Sequence, residues 1–120
     1  MRILTVCRAG LVRSVSLADV LKLHFKPVDV IPVGIGEHKL GRFNSKEVLD
    51  YLFIWADKII VMETRYKDKI PVSEHYKVMI CDVGPDTYGY SKHPALLDEV
   101  WQWARMFASD LGIEEHHERL

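Results

Sequence analysis

Four short apolar runs alternate along this chain with segments of helical spacing, and this alternation limits the possible folds. The runs cover residues 2–6, 28–33, 57–63 and 76–83, and the third contains the uninterrupted stretch from Ile59 to Met62. Continuous apolar character is typical of buried parallel strands. Strands that alternate with helices imply right-handed crossovers and a sheet covered on both faces. We therefore predict an α/β three-layer sandwich with a four-stranded parallel sheet in the order 2-1-3-4, counted along the chain.

Three longer helices are predicted between and after these strands. The first follows the tight loop at Ala9 and Gly10. The second begins at Asn44, because Glu47 three residues later completes a capping box, and it ends near residue 56. The third begins at Pro94, which suits the first helical position. Residues 64–70 form a candidate short charged helix, and residues 114–119 are expected to be a solvated or frayed end.

Length and composition describe one small globular domain. A chain of 120 residues builds a single core, so residues 1–120 are predicted to be one domain. No apolar run is long enough to span a bilayer, and the start of the chain lacks the regions of a signal peptide. We expect a cytoplasmic protein with no membrane partner. The formal net charge of −1 argues against a nucleic-acid partner.

Cysteine and histidine usage predicts neither a metal nor any other cofactor. The two cysteines, Cys7 and Cys81, do not form a paired metal motif, and the six histidines are scattered. Cys81 lies in an apolar run, where a thiol is commonly inert core, and the alternative is a redox partner for Cys7.

The segment from Cys7 to Ser14 lies between the first strand and the first helix, where backbone N–H groups can converge on an anion. A helix N-terminus and a nearby arginine favour the thiolate of Cys7, which is a nucleophile for phosphoryl transfer. The planar guanidinium of Arg13 can bond two oxygens of the transferred group. Ser14 can bond the sulfur. The loop residues predicted to bind the phosphate through their backbone are Arg8, Ala9, Gly10, Leu11 and Val12.

At these residues the chain resembles the low-molecular-weight protein tyrosine phosphatase family. The family signature is a cysteine, five residues, an arginine and then serine or threonine, directly after the first strand. Residues 56–63 are similar to the family's third strand, and Asp86-Thr87-Tyr88 is similar to its Asp-Pro-Tyr loop. The resemblance extends over nearly the whole chain in order, although only the first motif is specific.

The chain also departs from the family pattern at several positions. Val15 replaces the proline that usually follows Arg-Ser, Val12 replaces a second loop cysteine, and Gly10 replaces the loop asparagine. The segment from residue 33 to residue 57, which helps to form the family's substrate rim, is shorter here. These departures bear on substrate preference, and the missing proline and the shorter rim segment also leave open a phosphate-binding module without turnover.

A phosphatase of this kind needs a proton donor for the leaving oxygen, and the chain offers Asp86 and Asp82. The resemblance implies that Asp86 is the acid, because it matches the family's Asp-x-Tyr. Asp82 lies closer to the sheet and is the alternative acid or a brace for the loop. Tyr88 is a candidate for the substrate side, where it would line the leaving-group pocket, and the alternative is that it only packs.

The sequence thus predicts a phosphomonoester hydrolase, of the protein tyrosine phosphatase kind, with Cys7, Arg13 and Asp86 as catalytic residues. Its expected substrate is a phosphorylated protein or a small aryl phosphate. Two alternatives stay open. One is a phosphate- or phosphopeptide-binding module without turnover. The other is an arsenate reductase on the same fold, although its electron relay needs a third thiol shortly after the second, and no cysteine follows Cys81.

Overall fold

Strands and helices alternate along the chain, in a computed structural model that describes residues 1–8, 12–36 and 45–116. In chain order the elements are β1 (Arg2–Cys7), α1 (Arg13–His24), β2 (Phe25–Lys26), β3 (Asp29–Gly34), α2 (Lys46–Trp55), β4 (Lys58–Val61), β5 (Val78–Ile80), α3 (Pro94–Leu111) and β6 (Glu114–Glu115). Two 3₁₀ helices, Thr64–Lys69 and Val72–Lys77, lie between β4 and β5.

The main sheet has four parallel strands in the order β3-β1-β4-β5. This is the predicted order, since β2 belongs to a separate small sheet. The chain moves from β1 to β3 in one direction and then from β3 past β1 to β4. Right-handed crossovers therefore put α1 and α2 on opposite faces. The order reverses beside β1, and such a switch point forms a crevice at the carboxyl ends of the strands.

The core is built from the apolar runs that predicted the strands. Ile3, Leu4, Ile59 and Ile60 are fully buried in the sheet. The two ends of helix α1 bury different kinds of side chain. The first turns bury polar residues, and the later turns bury apolar ones. The polar set consists of Arg13, Ser14 and Ser16. Burial of a charged side chain is costly and rare. A buried arginine in the first turn of α1 therefore indicates a functional role for that end of the helix.

Two predicted boundaries between β4 and β5 differ from the structure. The strand predicted for residues 76–83 is shorter, because Tyr76 and Lys77 belong to a 3₁₀ helix. Tyr76 is exposed, whereas the Lys77 ammonium is buried and donates to the carbonyl oxygens of Phe53 and Ile54 at the end of α2. The candidate helix at residues 64–70 is a 3₁₀ helix from Thr64 to Lys69.

Helix α2 begins one residue later than the predicted cap implied. Ser45 is the N-cap, and its hydroxyl accepts a hydrogen bond from the Val48 amide at 3.2 Å. Asn44, the predicted cap, lies outside the described residues. Ser45 thus satisfies one of the first amides of α2, which have no partner within the helix.

The end of the chain is paired rather than frayed as far as residue 116, so that expectation was wrong for this segment. Strand β6 pairs antiparallel with β2, and the His116 amide donates to the His24 carbonyl oxygen. Residues 117–120 lie outside the described part of the chain. Among the described helices, none combines the length and the apolar character that a membrane span requires.

Candidate active site

Cys7 is the last residue of β1, and its sulfur lies beside the start of α1. The side chain is 1% exposed, and Sγ lies 3.0 Å from Ser14 Oγ. Thr5 Oγ1 donates to the Ser14 carbonyl oxygen at 2.8 Å, which joins strand and helix below the loop. Val12, the residue before α1, provides no side-chain cap. The first amides of the helix are therefore open to an anion at this end.

Arg13 is fully buried in the first turn of α1. Nη1 donates to the Gly84 carbonyl oxygen at 3.0 Å, which ties α1 to the loop after β5. Nη2 lies 2.8 Å from Glu63 Oε2 and donates to the Tyr66 hydroxyl at 3.1 Å. The guanidinium is thus held by three groups from two segments that follow neighbouring strands.

The Nε atom of Arg13 has no hydrogen-bond acceptor in the described part of the chain, although it is buried. The Asp86 carboxylate faces it, with Oδ1 at 4.0 Å from Nε. That distance is too long for a hydrogen bond. A buried N–H of a charged group is costly when it lacks an acceptor, so the Nε–H group is a candidate donor to an anion.

Hydrogen bonds link Arg13, Glu63 and Tyr66, and these bonds favour the charged forms of Arg13 and Glu63. Burial opposes the charge on Arg13, but hydrogen bonds to Glu63 and Tyr66 outweigh it and raise the arginine pKa. Burial also opposes the charge on Glu63, yet hydrogen bonds from Tyr66 and Arg13 lower its pKa. Burial and the hydrogen bond to Glu63 raise the pKa of Tyr66. Near neutral pH the three groups are therefore cation, anion and neutral donor.

Asp82 and Asp86, the two acid candidates, have different surroundings. Asp82 Oδ1 accepts a hydrogen bond from the Gly84 amide at 2.9 Å, where Gly84 adopts a positive φ of 84°. Asp82 thus braces the turn whose carbonyl holds Arg13. Asp86 lies four residues on, with its side chain 30% exposed and turned toward Arg13 Nε. Of the two, Asp86 is the one that the structure brings near the arginine.

The loop that carries Asp86 is fastened to α1 at its far end. Ser16 Oγ donates to the Ser91 carbonyl oxygen, and Lys92 forms an ion pair with Asp19 at 3.1 Å. The contact between Arg13 and Gly84 fastens the near end. Helix α1 therefore carries both Arg13, the candidate phosphate ligand, and Ser14, which contacts the candidate nucleophile Cys7. It also anchors both ends of the loop that contains Asp86.

Of the five loop residues predicted to bind the phosphate through their backbone, the structure describes Arg8 and Val12. Arg8 is exposed, and its carbonyl oxygen accepts from the Gly36 amide at 2.8 Å. Any Cβ at Gly36 would lie 2.8 Å from that oxygen, so this close approach requires glycine. Val12 is half-buried. Ala9, Gly10 and Leu11 lie outside the described residues.

Tyr88 directs its hydroxyl to α3 rather than to the sulfur. The hydroxyl oxygen lies 2.7 Å from the Val83 carbonyl oxygen and 3.1 Å from Glu99 Oε2. Its ring meets His93 edge-on. These contacts give Tyr88 a role in holding the acid loop against α3, so any contact with substrate would come from its ring.

Cys81 is fully buried and directly follows β5. Burial, followed by the nearby carboxylates Asp82 and Glu99, strongly raises its pKa. A thiol in this state is a weak nucleophile. The surroundings of Cys81 therefore favour inert core over a redox role.

Sequence reasoning assigned no function to Glu63 or Tyr66. The available signal was the position of Glu63, a carboxylate immediately after an apolar strand beside the switch point of the sheet. Tyr66 three residues later gave no comparable signal, because a tyrosine in a short helical segment is commonly a packing residue. Within the described residues, no group of three or more potential metal ligands is found.

A surface cavity of about 460 Å³ opens next to Arg13. The residues that line it are Glu63, Thr64, Arg65, Asp82, Gly84 and Pro85.

This fold is shared with small bacterial tyrosine and arginine phosphatases. YwlE arginine phosphatase from Geobacillus stearothermophilus has a TM-score of 0.67 at 20% identity, over 98% of this chain and 99% of that one. The tyrosine phosphatase Wzb from Escherichia coli K30, solved with phosphate, has a TM-score of 0.62 at 18% identity, over 92% and 98%. Wzb from Vibrio vulnificus, solved with benzylphosphonate, has a TM-score of 0.61 at 20% identity, over 91% and 97%.

No protein-family model matches the chain, and no curated protein matches it significantly. The structural likeness confirms the predicted fold, including its four parallel strands. Because the identities are near 20%, the likeness establishes the fold alone.

Proposed function

We propose that this protein is a metal-independent phosphatase that hydrolyses phosphate monoesters through a phosphocysteine on Cys7. The fold, shared with tyrosine and arginine phosphatases, is consistent with this activity. The expected substrate is a phosphotyrosyl protein or a small aryl phosphate, and the expected location is the cytoplasm. No cofactor takes part in the proposed reaction.

The observation that carries the proposal is the state of Arg13. Its guanidinium is fully buried, three groups hold its two terminal nitrogens, and its Nε has no acceptor in the described part of the chain. A purely structural buried arginine would have that donor satisfied. Arg13 directly precedes Ser14 in sequence, and the Ser14 hydroxyl is 3.0 Å from the Cys7 sulfur. A phosphoryl group attached to Cys7 would supply the missing acceptor.

In the first chemical step, the Cys7 thiolate attacks phosphorus while the bond from phosphorus to the ester oxygen breaks. Arg13 and the loop amides stabilise the charge on the equatorial oxygens. Asp86 in its protonated form gives its proton to the leaving alkoxide or phenoxide. The products of this step are a phosphocysteine, an alcohol or phenol, and an Asp86 carboxylate.

In the second step, water attacks phosphorus and the bond from sulfur to phosphorus breaks. Asp86 takes a proton from the water as it attacks, which restores the acid for the next turnover. Inorganic phosphate leaves and Cys7 returns to the thiolate. Ser14 assists both steps, because a hydroxyl 3.0 Å from sulfur can stabilise the thiolate as a leaving group.

The direct test is steady-state hydrolysis of an aryl phosphate by the wild type and by Cys7→Ser, with and without a metal chelator. Wild-type turnover should be insensitive to chelator. Cys7→Ser should lose turnover while keeping its fold and its affinity for phosphate, because serine is nearly isosteric but is not ionised near neutral pH. Residual activity within about tenfold of wild type would remove Cys7 from the mechanism.

Two further assays separate the alternatives. Phosphotyrosyl and phosphoarginyl peptides should be offered in parallel, since structural neighbours of both specificities exist. Binding of a phosphotyrosyl peptide without hydrolysis would identify a binding module. Thiol-coupled reduction of arsenate would identify an arsenate reductase.

A further inference from the structure

The Tyr66 hydroxyl contacts Nη2 of the Arg13 guanidinium, and the proposed reaction gives this tyrosine no chemical step. The tyrosine is 3% exposed. Its hydroxyl accepts a hydrogen bond from Arg13 Nη2 at 3.1 Å and donates one to Glu63 Oε2 at 2.8 Å. A single hydroxyl therefore connects the two charged groups of the buried pair.

The contacts at the terminal nitrogens fix the plane of the guanidinium. The Gly84 carbonyl holds Nη1, while Glu63 and Tyr66 hold Nη2. Arginine otherwise loses considerable rotamer freedom when a ligand orders it. An arginine that is already ordered binds an anion without that entropic cost.

Tyr66 contributes something that Glu63 alone cannot provide. A carboxylate can rotate about its terminal torsion and follow the arginine, whereas a phenol is held by its buried ring. Arg65 occupies the other oxygen of Glu63, with Nε at 3.0 Å from Oε1, and its guanidinium lies over the Tyr66 ring. Burial raises the pKa of Tyr66, so its hydroxyl keeps the proton that it donates to Glu63.

We propose that Tyr66 is a positioning residue of the phosphatase, which acts through Arg13 and turns its Nε toward the phosphoryl group. This inference rests on the proposed function of the same site. Tyr66 touches neither the sulfur nor the substrate in this scheme. Its hydroxyl matters because it holds Nη2, and with it the plane in which the Nε–H bond of Arg13 lies.

The first test removes only the hydroxyl, in Tyr66→Phe. We expect the affinity for inorganic phosphate, measured by calorimetry, and kcat/KM for an aryl phosphate each to fall about tenfold, the size of one hydrogen bond to a charged group. The dependence on leaving-group pKa should not change, because Asp86 is untouched. Tyr51→Phe is the matched control, since Tyr51 is an exposed tyrosine on α2, and it should behave as wild type.

The second test asks whether the hydroxyl acts through Arg13. In an Arg13→Lys background, Tyr66→Phe should change phosphate affinity less than twofold, because the group that it positions is gone. An equal loss in both backgrounds would overturn the inference. In the wild type, addition of phosphate should shift and protect the ¹⁵N–¹H resonance of Arg13 Nε, and this response should weaken in Tyr66→Phe.

These outcomes separate the inference from the function on which it rests. If the wild type neither hydrolyses aryl phosphates nor binds phosphate, the proposed function fails. If the wild type does both and Tyr66→Phe matches Tyr51→Phe, only the role of Tyr66 is refuted. If Tyr66→Phe unfolds at a lower temperature, the Arg13→Lys background still decides, because a purely structural loss would persist there.

Discussion

Two arginine–glutamate pairs in this protein make opposite use of the arginine Nε. Arg105, on α3, directs Nε to both carboxylate oxygens of Glu115 at 3.1 and 3.0 Å. Its side chain is 54% exposed and lies over the Trp101 ring. Arg13 is fully buried and binds Glu63 through Nη2, and its Nε finds no acceptor in the described part of the chain.

We interpret the Arg105–Glu115 pair as an interaction that stabilises the fold. We interpret the Arg13–Glu63 pair as one that orients an arginine for binding an anion. Trp101 Nε1 also donates to Glu115, so this cluster fastens β6 to α3. Within the described residues, these contacts hold Glu115 and α3 together. At Arg13, the corresponding carboxylate is Asp86, which stays 4.0 Å away. We interpret a buried arginine whose Nε has no acceptor within the described residues as a candidate site for an external anion.

The largest effect is expected at Asp86, the carboxylate that faces Arg13 Nε, because it is the proposed general acid. Glu115, which binds Arg105 Nε, has no proposed role in the reaction. Asp86→Asn should slow hydrolysis of phosphotyrosine, which has a poor leaving group, by about 10²–10⁴-fold, because general acid catalysis matters most when the departing oxyanion is basic. With an activated aryl phosphate, the loss in phosphoenzyme formation should shrink. The measurement is the rate of phosphoenzyme formation against leaving-group pKa.

Asp82→Asn is the control for that experiment. It should lower stability through the turn at Gly84, with no dependence on leaving-group pKa. If the slope steepens in the Asp82 variant and not in the Asp86 variant, the two roles must be exchanged.

Lysine substitution compares the two arginines directly. Arg13→Lys should cost about 2–4 kcal/mol in the barrier to hydrolysis, because a compact ammonium cannot bind Glu63, Gly84 and a phosphoryl oxygen together. Arg105→Lys should leave kcat/KM unchanged and cost at most about 1 kcal/mol of folding free energy, as exposed ion pairs do. Kinetics and chemical denaturation of both variants make the comparison. Equal kinetic effects would mean that Arg13 is structural, like Arg105.

The two glutamates should differ in how much they stabilise the fold, and for Glu63 this contribution should depend on pH. The pKa of Glu63 lies below its ordinary value of 4.5, since hydrogen bonds from Tyr66 and Arg13 outweigh burial. Its stabilising contribution is therefore fully present above that ordinary value, and it is lost as pH falls through the folded-state pKa. Glu63→Gln should cost about 1–3 kcal/mol at neutral pH, because it weakens a hydrogen bond to a buried charge.

Denaturant unfolding of the wild type and of Glu63→Gln, from neutral pH into the acid range, tests this sign. The difference in free energy of unfolding should narrow as pH falls below the ordinary value for glutamate. A difference that stays constant into acid would show that the carboxylate charge contributes nothing. Glu115→Gln should cost less than about 1 kcal/mol at neutral pH, since its arginine partner is half exposed.

The fold was predictable because its signals are local. The apolar runs that include Ile3 and Ile59 read as buried strands, and the spacing between Cys7 and Arg13 identified the loop that joins β1 to α1. Strand alternation then fixed the sheet order, because right-handed crossovers leave few topologies. The short pairing of β2 with β6 was missed, since two-residue strands carry no periodicity.

The site was predictable only in part, because half of it is assembled by long-range contacts. Cys7 and Ser14 lie within one short stretch of sequence, at the end of β1 and the start of α1, so a motif reveals them. Glu63 and Tyr66 reach Arg13 from a segment about 50 residues further along the chain. No sequence pattern shows that a tyrosine hydroxyl will lie 3.1 Å from a given guanidinium nitrogen. The position of Glu63 at a strand end was the only hint.

The central claim is a covalent bond between phosphorus and the sulfur of Cys7. Its most direct test is rapid quenching of enzyme during turnover of an aryl phosphate, followed by peptide mass spectrometry under conditions that preserve phosphocysteine. The account predicts phosphate on the peptide with Cys7 and none on the peptide with Cys81, whose thiol is buried and has a raised pKa. Phosphate on any other residue, or steady turnover with no phosphorylated Cys7 in wild type or Asp86→Asn, would contradict it.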